Sequence, residues 1–160
     1  MDIYKTISEK KIVPVITIND ANNAAPLAEA LCAGNLPVAE VTFRTDAAEQ
    51  AIRNISSEIP EVLVGAGSIT NTDQAKRAVD AGAKFLVSAG FSRSVTEYAV
   101  NNNIPIFPGV LTPTEIISLL EYNLTVAKFF PAEQFGGLPT IKALAAPFPG
   151  MKFMPTGGIN

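Results

Sequence analysis

The chain has 160 residues and a formal net charge of −3, with 48% hydrophobic and 17% charged residues. This is material for one globular domain, too apolar for a disordered chain and without the Lys/Arg blocks that nucleic acid or an anionic membrane attracts. Histidine is absent, which removes His-based triads, His–metal sites and the usual general base.

The N-terminal segment MDIYKTISEKK is polar and lacks an apolar signal core. No run further along reaches the length that crosses a bilayer, so a cytoplasmic protein is expected. Lys11–Ile18 reads as the first strand, and Asn19 or Asp20 caps a helix that ends near Gly34. Cys32 lies in that helix; a lone cysteine has no intrachain partner and reads as a small buried hydrophobe. Val38–Phe43 is the second strand. Asp46–Glu49 has capping-box spacing and opens a helix that stops before Pro60. Glu61–Ala66 is the third strand, and Asn71 or Thr72 starts a helix closing at Gly82. Lys84–Ser88 is the fourth, followed by a helix from about Ser92 to Asn101. Ile104–Val110 is the fifth. Thr112-Pro113-Thr114-Glu115 then combines a Thr cap, Pro at the first helical position and Glu three residues after the cap, opening a helix to about Tyr122. Val126–Phe130 is the sixth strand, Pro139–Ala146 a further helix and Lys152–Thr156 the seventh strand.

Repeated βα units with short turns predict a parallel sheet covered by helices. An open doubly wound sheet and a closed (β/α)8 barrel of the TIM type both satisfy that pattern. No G-x-G-x-x-G follows the first strand, and the strands show no division into two halves, which favours the barrel. The expectation is a single barrel domain over residues 1–160, truncated after the seventh strand and lacking the eighth strand and the C-terminal helix.

Lys128 stands in the middle of the apolar strand Val126–Phe130. Burying an unpaired ammonium costs several kcal/mol, and the strand of a βα array is covered on both faces. One reading is an edge strand with a snorkelling lysine. The other is a desolvated lysine that, as a free amine, attacks a ketone to form a Schiff base. Glu40 is mid-strand between apolar neighbours, and alternation puts Thr42 on its face, with Arg44 continuing that side. Pairing with Lys128 lessens the cost of burying both charges. Glu40 is then either half of a structural ion pair or a general acid/base beside the amine. Arg44, at the C-terminal end of its strand, suits bidentate capture of a carboxylate, although a plain surface arginine fits the same position. Gly157 and Gly158 follow the seventh strand, where backbone N–H groups of barrels cradle phosphate; a plain turn is the alternative. In Val64-Gly65-Ala66-Gly67-Ser68, small residues leave room for a ligand and Ser68 offers a hydroxyl. Glu133, in the loop after the sixth strand, carries no assigned role.

Five motifs then appear in a familiar order: E-V-T-F-R (Glu40–Arg44), V-G-A-G-S (Val64–Ser68), P-G-V-x-T-P-T-E (Pro108–Glu115), K-F-F-P-A-E (Lys128–Glu133) and P-T-G-G-I (Pro155–Ile159). Their order resembles the 2-keto-3-deoxy-6-phosphogluconate (KDPG)/4-hydroxy-2-oxoglutarate (KHG) aldolases. The resemblance implies a (β/α)8 barrel, a homotrimer, and catalysis with no metal and no organic cofactor. By that likeness Lys128 is the Schiff-base lysine and Glu40 the acid/base. Arg44 binds the carboxylate of pyruvate, Ser68 and Thr156 line the pyruvate pocket, and Gly157 and Gly158 contribute to a phosphate site. The implied substrate is a phosphorylated keto acid cleaved to pyruvate and glyceraldehyde 3-phosphate. Alternatives are an aldolase for unphosphorylated 2-keto-4-hydroxy acids and an inactive barrel that only binds small anions. Ser88-Ala89-Gly90 departs from the family's S-P-G at a strand end.

Overall fold

The computed structural model describes residues 2–159. Its strands are β1 (Val15–Ile16), β2 (Val38–Thr42), β3 (Leu63–Ile69), β4 (Leu86–Ser88), β5 (Ile106–Phe107), β6 (Gly109–Val110), β7 (Val126–Phe129) and β8 (Lys152–Pro155). Its helices are α1 (Ile3–Lys10), α2 (Ala24–Ala33), α3 (Ala48–Glu58), α4 (Thr72–Asp80), α5 (Arg93–Asn101), α6 (Pro113–Leu120) and α7 (Gly137–Ala145). The expected fifth strand is split into β5 and β6 at Pro108, which has no N–H to give to a ladder. Every strand pair is parallel, in the orders β1-β2-β3-β4-β5 and β6-β7-β8. Strand order following chain order is what successive right-handed βα units produce. Among the described residues β1 pairs only with β2, and β8 only with β7.

Strand alternation sorts the side chains into two layers. One face of β2 and β3 carries Ala39, Val41, Val64 and Ala66 outward against the helices. The helices meet that face through alanines spaced three or four apart: Ala24 and Ala28 on α2, Ala48 and Ala51 on α3, Ala75 and Ala78 on α4. A methyl at each contact lets helix and sheet approach closely. The other face points inward, where Val38, Leu63, Phe85, Val87 and Phe107 form a separate cluster with Ile7. Phe85 and Phe107 meet edge to face at 5.7 Å, an arrangement worth about 0.5–1.5 kcal/mol beyond burial.

Helix α1 was not foreseen from its polar composition. Asp2 caps it by accepting from the Lys5 N–H, and Ile3 and Ile7, one turn apart, turn inward. Tyr4 packs on Phe107, and its hydroxyl accepts from the Ile106 N–H (3.1 Å) and donates to the Ile106 carbonyl (3.3 Å). Helix α1 therefore plugs the end of the barrel from which the strands start. It also shortens the expected first strand: Lys11 sits at φ 64°, ending α1, and only Val15–Ile16 pairs. The capping box expected at Asp46–Glu49 does not form. Helix α3 begins at Ala48 without a side-chain cap, and Glu49 bonds Arg77 (2.8 Å) instead. The box at Thr112–Glu115 does form. Cys32 is half-buried rather than buried. Among the described residues, no helix is long and apolar enough to cross a membrane.

Candidate active site

Glu40 and Lys128 come from strands 88 residues apart in sequence and meet in the barrel interior. Alternation puts Glu40 inward with Val38, and Lys128 inward with Val126. Lys128 Nζ donates to Glu40 Oε1 at 3.4 Å, with 4% of the lysine and none of the glutamate exposed. The edge-strand reading of Lys128 is therefore excluded, because β7 is paired on both sides, by β6 and β8. The amine also lies 5.1 Å from the Phe130 ring. Burial pushes the Glu40 carboxyl up, and the charges of Lys128 and Arg44 pull it only part of the way back. Glu40 Oε2 has no hydrogen-bond partner among the described residues.

The glycines of β3 have a different purpose from the ligand space expected of them. A Cβ at Gly65 would fall on the Phe85 ring, and a Cβ at Gly67 on the Glu40 carboxyl. Their missing side chains make room for protein, not for ligand, and Gly67 is a site residue that sequence reasoning missed. Only the register reveals it: Gly67 stands opposite Thr42, two residues beyond Glu40 on β2. Gly109, opposite Lys128, gives way to the Ala89 carbonyl.

Ser68 follows at φ 58°, half-buried, inside the register break between Ala66 and Ile69. A non-glycine residue in the left-handed region is uncommon and tends to occur where backbone geometry serves a site. Arg44 is exposed, yet close enough for its charge to act on Glu40. Thr156, Gly157 and Gly158 leave β8 at the same end of the barrel. Both glycines have positive φ, 93° and 71°. Their loop is tied to the one after β7, where the Ala132 and Glu133 N–H groups donate to the Thr156 and Gly157 carbonyls at 2.8 and 3.1 Å. A Cβ at Gly158 would strike the Glu133 side chain, which gives Glu133 a place beside the site. A cavity of about 970 Å³ lies between β1 and β8, and Glu40, Thr156, Gly157 and Gly158 line it. Lys128, Arg44 and Ser68 are not on its wall.

A parallel β/α barrel with a buried amine–carboxylate pair in its interior, and with Arg44, Ser68 and Thr156–Gly158 at the C-terminal ends of its strands, is the architecture of an enzyme for carbonyl chemistry. The family model for KDPG and KHG aldolase matches residues 3–160. The KHG/KDPG aldolase of Escherichia coli K12 is 43% identical, over 100% of this chain and 78% of its own length. The 2-keto-3-deoxy-6-phosphogluconate aldolase of Zymomonas mobilis ZM4, crystallised with 3-phosphoglycerate, superposes with a TM-score of 0.91 at 40% identity, covering 98% of this chain and 76% of that one. The KDPG aldolase of Legionella pneumophila, with pyruvate captured as a covalent carbinolamine, has a TM-score of 0.89 at 42% identity, covering 92% and 72%. The chain belongs to the KDPG and KHG aldolase family.

Proposed function

We propose that this chain is a class I aldolase that cleaves 2-keto-3-deoxy-6-phosphogluconate to pyruvate and glyceraldehyde 3-phosphate, with Lys128 as nucleophile and Glu40 as acid/base. The observation that carries this reading is the buried 3.4 Å contact between Lys128 Nζ and Glu40 Oε1. The Lys128 amine adds to the C2 ketone to form a carbinolamine. Glu40, held toward its protonated form by burial, gives the proton with which the C2 hydroxyl leaves as water. The resulting iminium draws the electron pair of the C3–C4 bond as the C4 hydroxyl loses its proton to the Glu40 carboxylate, directly or through water. The aldehyde departs and an enamine remains. Protonation at C3 and addition of water at C2 release pyruvate and restore the amine.

Arg44 supplies a guanidinium for the substrate carboxylate, and Ser68 and Thr156 hydroxyls for the pyruvate half. The Gly157–Gly158 backbone receives the phosphate. A homotrimer is part of the proposal; exposed apolar side chains at Ile117, Leu120, Phe135 and Leu138 support a buried surface between copies, which sedimentation equilibrium would measure. A cytoplasmic setting also belongs to it, in keeping with the free thiol of Cys32.

The test is reductive trapping. Incubation with pyruvate and borohydride should add a lactyl-sized mass to Lys128 in peptide maps, and Lys128→Ala should lose both the adduct and turnover. Wild-type rates in Lys128→Ala would overturn the assignment.

A further inference from the structure

Besides Glu40, the Lys128 amine has a neighbour that takes no part in the chemistry above. Nζ lies over the face of the Phe130 ring, 5.1 Å from its centroid. Alternation explains the contact. Lys128 points inward, Phe129 outward into the cluster under α6, and Phe130, just past β7, inward again on the side of the C-terminal mouth. Phe130 is half-buried and joins none of the three apolar clusters among the described residues. The loop after β8 also reaches it, since a Cβ at Gly157 would come within 3.4 Å of two of its ring carbons. A phenylalanine placed to fill the core would belong to one of those clusters. This one faces an amine instead.

The face of an aromatic ring is electron-rich and attracts a cation within about 6 Å of its centroid, more strongly away from water. The lysine is 4% exposed, and among the described residues the one hydrogen bond of its amine is the contact to Glu40. Burial disfavours the charged form of that carboxyl, so Glu40 is a weak counter-charge, and Arg44 is itself a cation. We propose that Phe130 is a further catalytic residue, whose ring face stabilises the positive charge that Schiff-base formation places on Lys128 Nζ. This rests on the reading of Lys128 as the nucleophile. In the carbinolamine the nitrogen is neutral. As the C2 hydroxyl leaves as water with the Glu40 proton, the C–O bond breaks, the nitrogen lone pair becomes the second C–N bond, and the charge appears on Nζ. The reacting nitrogen is the atom that already lies over the ring, so the contact holds wherever the rest of the substrate runs. The ring favours the cationic iminium over the neutral carbinolamine, and the iminium is the species that breaks the C3–C4 bond.

Phenylalanines carrying one, two and three ring fluorines at position 130 test this, because fluorine withdraws charge from the ring face with little change of shape. Phe130→Leu removes the face and keeps an apolar side chain. At saturating pyruvate the chain is divided between carbinolamine and iminium, and borohydride reduces only the second, so the rate of Lys128 labelling reads the partition. That rate should fall stepwise with each fluorine while melting stays at the wild-type temperature. In Phe130→Leu it should fall about 2- to 30-fold, the range of a cation–π contact. A loss in Phe130→Leu with a flat fluorine series would make the ring a packing group and overturn the proposal, as would wild-type rates in every variant. Either result beside a normal wild-type Lys128 adduct sinks the Phe130 assignment alone. No wild-type adduct sinks the aldolase reading and this assignment with it.

Discussion

Substituting Gly67 by alanine should disable the enzyme while leaving it folded. A Cβ built on Gly67 overlaps Glu40 Oε1, the oxygen that accepts from Lys128, and lies 2.6 Å from Cδ and Cγ. Real Cβ atoms essentially never come within 3.0 Å of a heavy atom beyond their own residue and its two chain neighbours. The carboxyl must therefore withdraw by on the order of 1 Å, a displacement that costs a catalytic group about a hundredfold. Proton transfer by a positioned side chain is worth about 10²–10⁴ in rate, so kcat should fall by about 10²–10³. Stability should move little. The displaced atoms end a flexible side chain, Gly67 has no positive φ, and alanine restricts the unfolded chain by about 0.4–1 kcal/mol. Gly65→Ala is the contrast. Its Cβ meets the Phe85 ring, fully buried and set edge to face against Phe107, which has nowhere to go. Overpacking of about 1–3 kcal/mol should lower Tm by roughly 2–12 °C, with activity per folded molecule largely kept. Circular-dichroism melts and an assay of pyruvate release separate the two. Wild-type kcat in Gly67→Ala would refute the reasoning, and so would a melting loss as large as that of Gly65→Ala.

Three further outcomes follow from the same geometry. Glu40 has its carboxyl raised by burial, so the folded chain holds a proton that the unfolded chain has already lost. Its stabilising contribution is complete below the ordinary carboxylate range and is lost as pH rises through the raised value; Tm of wild type should fall more steeply than that of Glu40→Gln from pH 4 to neutrality, and parallel curves would exclude this. Tyr4→Phe leaves the Ile106 N–H and carbonyl without their side-chain partner under α1 and should cost about 1–3 kcal/mol in urea melts, with kcat unchanged. Glu115→Ala removes an oxygen that accepts from the Leu111 N–H, the Thr112 N–H and the Thr112 hydroxyl, each at 2.8 Å, and should cost about 0.5–2 kcal/mol with no effect on turnover.

The βα order was legible because each strand had to read as a short apolar run and each helix as a capped, alanine-faced one. The misreadings share one cause. Ile3 and Ile7 carry the inward face of α1, but two isoleucines in a polar run do not show that a barrel end needs closing. Lys11 then belongs to a helix end, although the β-branched residues after it suggest a longer strand. At Asp46–Glu49 the spacing was right for a cap, yet Glu49 found two arginines, Arg53 on its own helix and Arg77 on the next. Local spacing states what a side chain can do. A tertiary partner decides which of those things it does.

The same distinction runs through the site. Glu40 and Lys128 could be found from sequence because a charge inside an apolar strand is too costly to be incidental, and two opposite costs invite pairing across any separation in the chain. Gly67 could not, because a glycine in a strand is cheap and explains itself as a bend or a gap. Its meaning appears only once β2 and β3 are in register and the space it vacates is seen to hold the Glu40 carboxyl. Thr42 was placed on the right face but was silent, since a threonine suits any strand. Its hydrogen bond to Thr17 depends on the short β1 pairing at Val15 and Ile16. Residues that carry cost announce a site in sequence, whereas residues that supply room or a neutral hydrogen bond become visible only through the neighbour they serve.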